Sequence, residues 1–231
     1  MKRLLEAARG GWQSAKANLI PGLVIISLAA LLVAAYYTFP SVQQALEGLR
    51  SVRQSWGLAF TMLSSAVGAG LIPGIYLMAV GKARRGGRGC LDVFFTCLVW
   101  ATTMILVDYF YAFQDWFWGS GVTLGILLAK MLLDQFVFTP LLSIPYMAFG
   151  FRLRDLNYSF QALRQAVRDD WILKVIIPML VACWLTWIPG TLVVYSLPLS
   201  LQVPLMVLVQ CFFALEMAYV SSKMTVPASA L

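Results

Sequence analysis

The sequence of 231 residues contains no histidine. Its absence removes the commonest general base, proton shuttle and transition-metal ligand. Charge is also scarce, at 12% of residues against ~25% in a soluble domain. Hydrophobic residues make up 61% of the chain, and the mean hydropathy is +0.80. A water-soluble domain of this size could not cover such a composition with polar surface. An ordinary soluble enzyme, a disordered chain and a coiled coil are therefore excluded. The four cysteines (Cys90, Cys97, Cys183 and Cys211) form no close CxxC pair and lie in apolar runs. They read as buried thiols, from which neither a disulfide framework nor a metal site follows.

What the chain does have is long apolar runs, the signal of membrane-spanning helices. Six are read, at 19–39, 56–80, 90–118, 122–150, 171–197 and 200–221. The fold class expected is all-α: a polytopic membrane helix bundle forming one domain over 1–231, preceded by a basic segment, 1–18. The net charge of +7 is assigned to basic loops on one membrane face, not to nucleic acid. Thirteen basic residues fall on one side of the six-span arrangement and two on the other. Basic segments resist translocation, which places both termini on the cytoplasm-equivalent side. The membrane is a bacterial inner membrane or an organellar one. A cleaved secretory signal in the first span is a rival reading, weakened because the apolar run continues past Val33-Ala34-Ala35. Trp56, Trp116, Trp118 and Trp171 sit at expected span ends, where indole rings favour the interface.

Two loop segments carry their own patterns. In 151–170, Leu153, Leu156, Phe160, Leu163 and Val167 recur at helical spacing, with arginines on the opposite face. This fits an amphipathic helix at headgroup level or one packed on the protein's own loops. The run Lys82, Arg84, Arg85 and Arg88 is a candidate for anionic lipid headgroups, or serves only as an orientation signal.

Ionisable residues inside spans are the most informative, because each is costly in hydrocarbon unless paired or hydrated. Asp108, Lys130, Asp134 and Glu216 are so placed. Lys130 and Asp134 are four apart and share a face of an α-helix, with Gln135 beside them. Folding the third span back on the fourth at Gly119–Gly121 brings Asp108 to a similar depth. We therefore expect Asp108, Lys130, Asp134 and Gln135 to form a polar cluster facing the bundle interior. Its role is either a network that fixes helix register or the lining of a water-filled path. Small residues at Ala66, Gly70 and Gly74 provide a face for close helix approach. Pro73, Pro140, Pro145, Pro178 and Pro189 interrupt backbone hydrogen bonding within spans.

The string Lys130-Met131-Leu132-Leu133-Asp134-Gln135-Phe136-Val137-Phe138-Thr139-Pro140 resembles the central motif of the Mpv/PMP family of peroxisomal and mitochondrial inner-membrane proteins. The resemblance extends to Gly70, Pro73 and Gly74 before it. After it, it takes in Trp187, Pro189, Pro198, Gln210, Tyr219 and Ser221. Two departures stand out. The stretch Gly190–Ser196 lacks the Gln and Asn-Phe usual in the family tail, and 90–118 looks like an inserted span, since the family is described with four. The resemblance implies a small-solute channel or pore-forming protein.

The leading functional expectation is thus a small-solute channel. The alternative is a non-conducting organiser that binds lipids or partner proteins. Membrane lipids and small solutes are the expected partners, and a homo-oligomer is compatible with the small-residue faces. No cofactor, metal site or catalytic constellation is expected. Ser64 and Ser65 have no histidine to activate them, and no internal repeat points to an alternating-access transporter.

Overall fold

The computed structural model of the chain describes residues 34–79, 81–119, 123–167 and 171–195, with single positions near either end (12, 27, 31, 32, 209–211 and 214). Every regular element among the described residues is helical. The segment read from sequence as the first inter-span loop forms a helix, α1 (Pro40–Trp56). Phe39 is extended, with φ −117°, as the residue before proline prefers. Pro40 then occupies the first turn, where its missing N–H costs nothing. At the far end Gly57 takes φ +52°, and its N–H donates to the carbonyl of Arg53 at 2.8 Å. Among the described side chains of α1, Leu46 is buried. Residues 34–38 are also helical, while most of the expected first span lies outside the described residues.

Three helices follow that are long and apolar enough to cross a membrane: α2 (Leu58–Ala79), α3 (Gly86–Trp118) and α4 (Leu124–Asp155). They correspond to the second, third and fourth expected spans. With 33 and 32 residues, α3 and α4 measure about 50 Å at ~1.5 Å per residue, against ~30 Å of hydrocarbon. They must tilt or project. After the short α5 (Phe160–Ala166) comes α6, which opens at Ile172 and runs to Tyr195. Of the sixth expected span only 209–211 and 214 are described, and these are helical.

Proline sets the local geometry of the long helices. A π-helical stretch, Ala66–Leu71, precedes Pro73; another, Asp134–Ser143, surrounds Pro140; a third, Ile172–Ile176, precedes Pro178. The ring of a mid-helix proline collides with the carbonyl four residues back and has no N–H to offer. Widening the preceding turn to an i→i+5 pattern gives that carbonyl room. Pro145 falls in the first turn of the α-helical stretch that follows, where it is tolerated. In α6 the α-helix continues through Pro189.

The third helix lies between α2 and α4. On one side Gly70 faces Cys97 and Gly74 faces Val93. On the other, Gly150 faces Val99, the rings of Phe110 and Phe138 stack at 4.1 Å, and Thr102 bonds Tyr146 at 2.6 Å. In both pairings positions advance on one helix as they retreat on the other, the register of antiparallel hairpins. Trp184 of α6 donates to the carbonyl of Gln135 at 2.7 Å, tying α6 to the π-helical part of α4. The apolar core collects where these helices meet, around Ala69, Val99, Trp100, Ile144, Met147, Met179 and Ala182.

Two surface expectations change. Trp56, Trp116 and Trp118 are exposed, but Trp171 is buried and its ring lies 5.6 Å from that of Phe149. The expected amphipathic helix over 151–170 is divided: 151–155 belongs to α4, and a turn separates it from α5. Asn157 and Tyr158 hold left-handed φ values of 53° and 62°, which no α-helix accommodates. Ser159 then caps α5 by accepting from the N–H of Ala162. Leu163 and Val167 turn toward protein, while Phe160 is exposed.

Candidate functional site

Two polar assemblies stand out, one inside the bundle and one at its basic end. The first is built on the π-helical stretch of α4. Asp134, Gln135 and Thr139 are all buried among apolar helices. In an α-helix the residue stacked over Asp134 would be Lys130 or Phe138. The wider π turn instead brings Thr139, five residues on, round to the same face. Its hydroxyl donates to Asp134 Oδ1 at 3.3 Å, and the Tyr111 hydroxyl of α3 donates to Oδ2 at 3.4 Å. Both distances are at the long end of the O–H···O range, so the carboxylate is only loosely held.

The sequence-derived cluster is brought together in part. Asp134 and Gln135 are buried side by side, and Lys130, half-buried, lies one turn earlier. Asp108 stands apart, exposed on α3 next to the exposed Tyr109. The hairpin register explains why: Gln114 donates to the carbonyl of Lys130 at 3.1 Å and Tyr111 meets Asp134. The α3 positions level with the motif therefore lie nearer the turn than Asp108. Glu216 lies outside the described residues.

Asp134 and Gln135 line a cavity of about 70 Å³ open to water-sized molecules, between α3, α4 and α6. Thr103, Tyr111, Thr139 and Gln210 supply further polar groups, and Trp100, Phe138 and Trp187 supply aromatic wall. A water needs roughly 10–15 Å³ by such a measure, so several fit. Gln210 donates to Met104 Sδ at 3.1 Å, while its amide oxygen and that of Gln135 are buried without a hydrogen-bond partner. Among the described residues no lysine or arginine lines the cavity. Thr139 and Tyr111 were not singled out from the sequence. The proline after Thr139 was the available signal, since it widens the helix.

The second assembly joins the loop before α3 to the turn after α4. Arg84 pairs with Asp92 at 2.8 Å, donates to the carbonyl of Arg154 at 3.0 Å and bonds the side chain of Asn157. Arg88 also donates to Asn157, at 3.0 Å. Arg85 donates to the carbonyls of Met78 and Ala79 at 2.9 and 3.0 Å, closing the C-terminal end of α2. Tyr158 donates to Asp92 at 2.8 Å, and Arg154 binds both Asp155 and Thr96. Of the four lipid-headgroup candidates, the three arginines thus have protein acceptors, and Lys82 is exposed. Burial, together with the Asp92 carboxylate that the phenol contacts, pushes Tyr158 up to about 12.

Gly70 and Gly74 serve the α2–α3 contact, and Pro73, just after the π-helical stretch, is buried. No disulfide links the four cysteines; Cys183 is buried and Cys90 exposed. No group of three or more acidic or cysteine side chains that could hold a metal ion occurs among the described residues. Set against protein-family models, curated proteins and solved structures, the chain finds no match.

Proposed function

We propose that this chain is an integral membrane protein whose helix bundle provides a passage for small solutes, with Asp134 and Gln135 lining it and Lys130 near its edge. One observation carries the reading: a carboxylate and two partly unsatisfied amides border a cavity inside helices otherwise made for hydrocarbon. Buried polar groups without partners destabilise a fold by ~1–3 kcal/mol each, and the two residues that carry such amide oxygens both line this cavity. Six spans complete the proposal, with α2, α3 and α4 as the central three and both termini on the basic side. The string Lys130–Pro140 supports placing the chain as a divergent member of the Mpv/PMP family with an additional span.

The test is solute flux from liposomes holding the purified chain, across solutes graded in size and charge. Flux that falls with solute size and changes in Lys130→Met and Asp134→Asn is the expected result. A folded, reconstituted protein that passes no solute overturns the proposal. Stoichiometric co-purification of a partner in the same absence of flux would favour an organiser of lipids or proteins.

A further inference from the structure

We infer that the start of α3 and the turn between α4 and α5 form a binding site for one anionic phospholipid, whose phosphate is received by Arg84 and Arg88 beside Asn157. The site lies at the basic end of the bundle, away from the cavity, and does not depend on the passage. Arg84 and Arg88 both donate to the amide oxygen of Asn157, and both bonds are exposed. Two positive charges thus converge on one neutral acceptor. Asp92 pairs with Arg84 at 2.8 Å and Asp155 with Arg154 at 2.9 Å. Among the described residues Arg88 therefore has an uncharged acceptor only. The rest of this face cannot supply the balance. Its thirteen basic residues meet five acidic ones over the whole sequence, Glu6, Asp92, Asp155, Asp169 and Asp170. A phosphate brings the missing charge and accepts from two guanidiniums at once.

The donors are positioned before a ligand arrives. Asn157 projects from a left-handed turn, Arg84 is also tied to the carbonyl of Arg154 at 3.0 Å, and Gly89 packs too closely on the Arg84 carbonyl to admit a side chain. Donors fixed in this way lose little freedom on binding. The surface next to them makes the ligand a lipid. Gly87, Leu91, Phe94 and Leu98 recur at helical spacing on one face of α3. The three side chains are 48%, 61% and 45% exposed, and the space beside Gly87 is open. This apolar stripe begins at the neighbour of Arg88, so one helix offers a track to an acyl chain and a guanidinium to its phosphate. A zwitterionic lipid would bring its own cation toward two arginines, which an anionic one does not.

The experiment titrates the full chain in a non-ionic detergent, at fixed ionic strength, with phosphatidylglycerol. Native mass spectrometry counts bound lipid, and thermal unfolding reads its effect. Phosphatidylcholine and glycerol phosphate, which has no acyl chain, are titrated in parallel. One saturable phosphatidylglycerol is expected, with each of the other two weaker by at least about tenfold. Arg88→Gln should weaken binding by about tenfold. Arg164→Gln removes an exposed charge from α5 on the same face and should change the affinity by less than about twofold. Asn157→Asp keeps a residue type that tolerates left-handed backbone and gives the two guanidiniums a charge from within. It should weaken the lipid by about tenfold and raise the unfolding temperature of the lipid-free chain. Equal losses in Arg88→Gln and Arg164→Gln, equal binding of phosphatidylcholine, or unchanged affinity in Asn157→Asp overturns the site. Glycerol phosphate bound as tightly as phosphatidylglycerol overturns the assignment to a lipid. Phosphatidylglycerol binding by a chain that passes no solute removes the passage and leaves this site.

Discussion

Replacing Gly70 and Gly74 by alanine separates two effects that oppose each other. In an exposed helix interior Gly→Ala stabilises by up to about 1 kcal/mol, because alanine has less backbone entropy to lose. Gly48 in α1, with nothing within 4 Å of an added Cβ, should show that gain. At Gly70 the added Cβ would sit 2.8 Å from both Cα and Sγ of Cys97, where carbon atoms prefer ~3.5–4.0 Å. One of the two clashing atoms is backbone, so α2 and α3 must part by roughly 0.7–1.2 Å, and a gap of that order forfeits a quarter to a half of each contact along the seam. Such overpacking costs about 1–3 kcal/mol, which, set against a gain of about 1 kcal/mol, leaves a net loss of about 0–2 kcal/mol for Gly70→Ala. At Gly74 the obstacle is a side chain, Val93 Cγ2 at 2.7 Å. Val93→Ala should therefore rescue Gly74→Ala, whereas Cys97→Ala leaves the Cα in place and rescues Gly70→Ala far less. Reversible unfolding of the full-length chain in mixed detergent micelles, followed by far-UV circular dichroism, measures all of these. If Gly70→Ala is stabilised as much as Gly48→Ala, the close α2–α3 approach is refuted.

The basic end yields three further outcomes. Arg84→Ala removes the cationic partner of the half-sheltered Asp92, leaving it only the Tyr158 hydroxyl among the described residues, and should destabilise by about 1–3 kcal/mol, against less than about 0.5 kcal/mol for the exposed Lys82→Ala; equal effects in the same unfolding assay would contradict the junction. Tyr158 titrates near 10 in the unfolded chain and at about 12 in the folded one, so over that window the folded state holds a proton the unfolded state releases, and stability falls as pH rises. Tyr158→Phe should make that fall shallower, and an unchanged slope between pH 10 and 12 would remove Tyr158 as a source of it. A membrane-impermeant maleimide should label the exposed Cys90, near the start of α3, and spare the buried Cys183; mass spectrometry of the labelled chain decides, and the reverse pattern would count against the helix packing.

Much of this was legible before any coordinates. Composition alone excludes a water-soluble domain, and run length locates α2, α3 and α4 to within a few residues at most ends. The reason is that hydrocarbon demands continuous apolar helix, a requirement written residue by residue. The turn at Gly119, with φ +79°, is equally local in origin. Helix α1 was missed because its composition is polar, although Pro40 and Gly57 mark its ends.

The cluster around Asp134 shows where local reading stops. Four-residue spacing pairs Asp134 with Lys130 only if the helix stays α. Pro140 opens the helix into π turns, and the i+5 neighbour Thr139 takes that place. Whether Asp108 joins depends on the rotation of α3, which Gly70, Gly74 and Gly150 fix through contacts made across the bundle. The basic run 82–88 reads in sequence as lipid-headgroup candidates or an orientation signal; Arg85 finds its acceptors locally at the end of α2, but Arg84 and Arg88 find theirs some seventy residues away, in the turn at Asn157. That the chain is helical, apolar and basic at one end can be read residue by residue, because those properties are sums over local preferences. Which carboxylate is enclosed, and beside what, follows from the packing of the helices, because half a turn of helix rotation exchanges an inward side chain for an outward one.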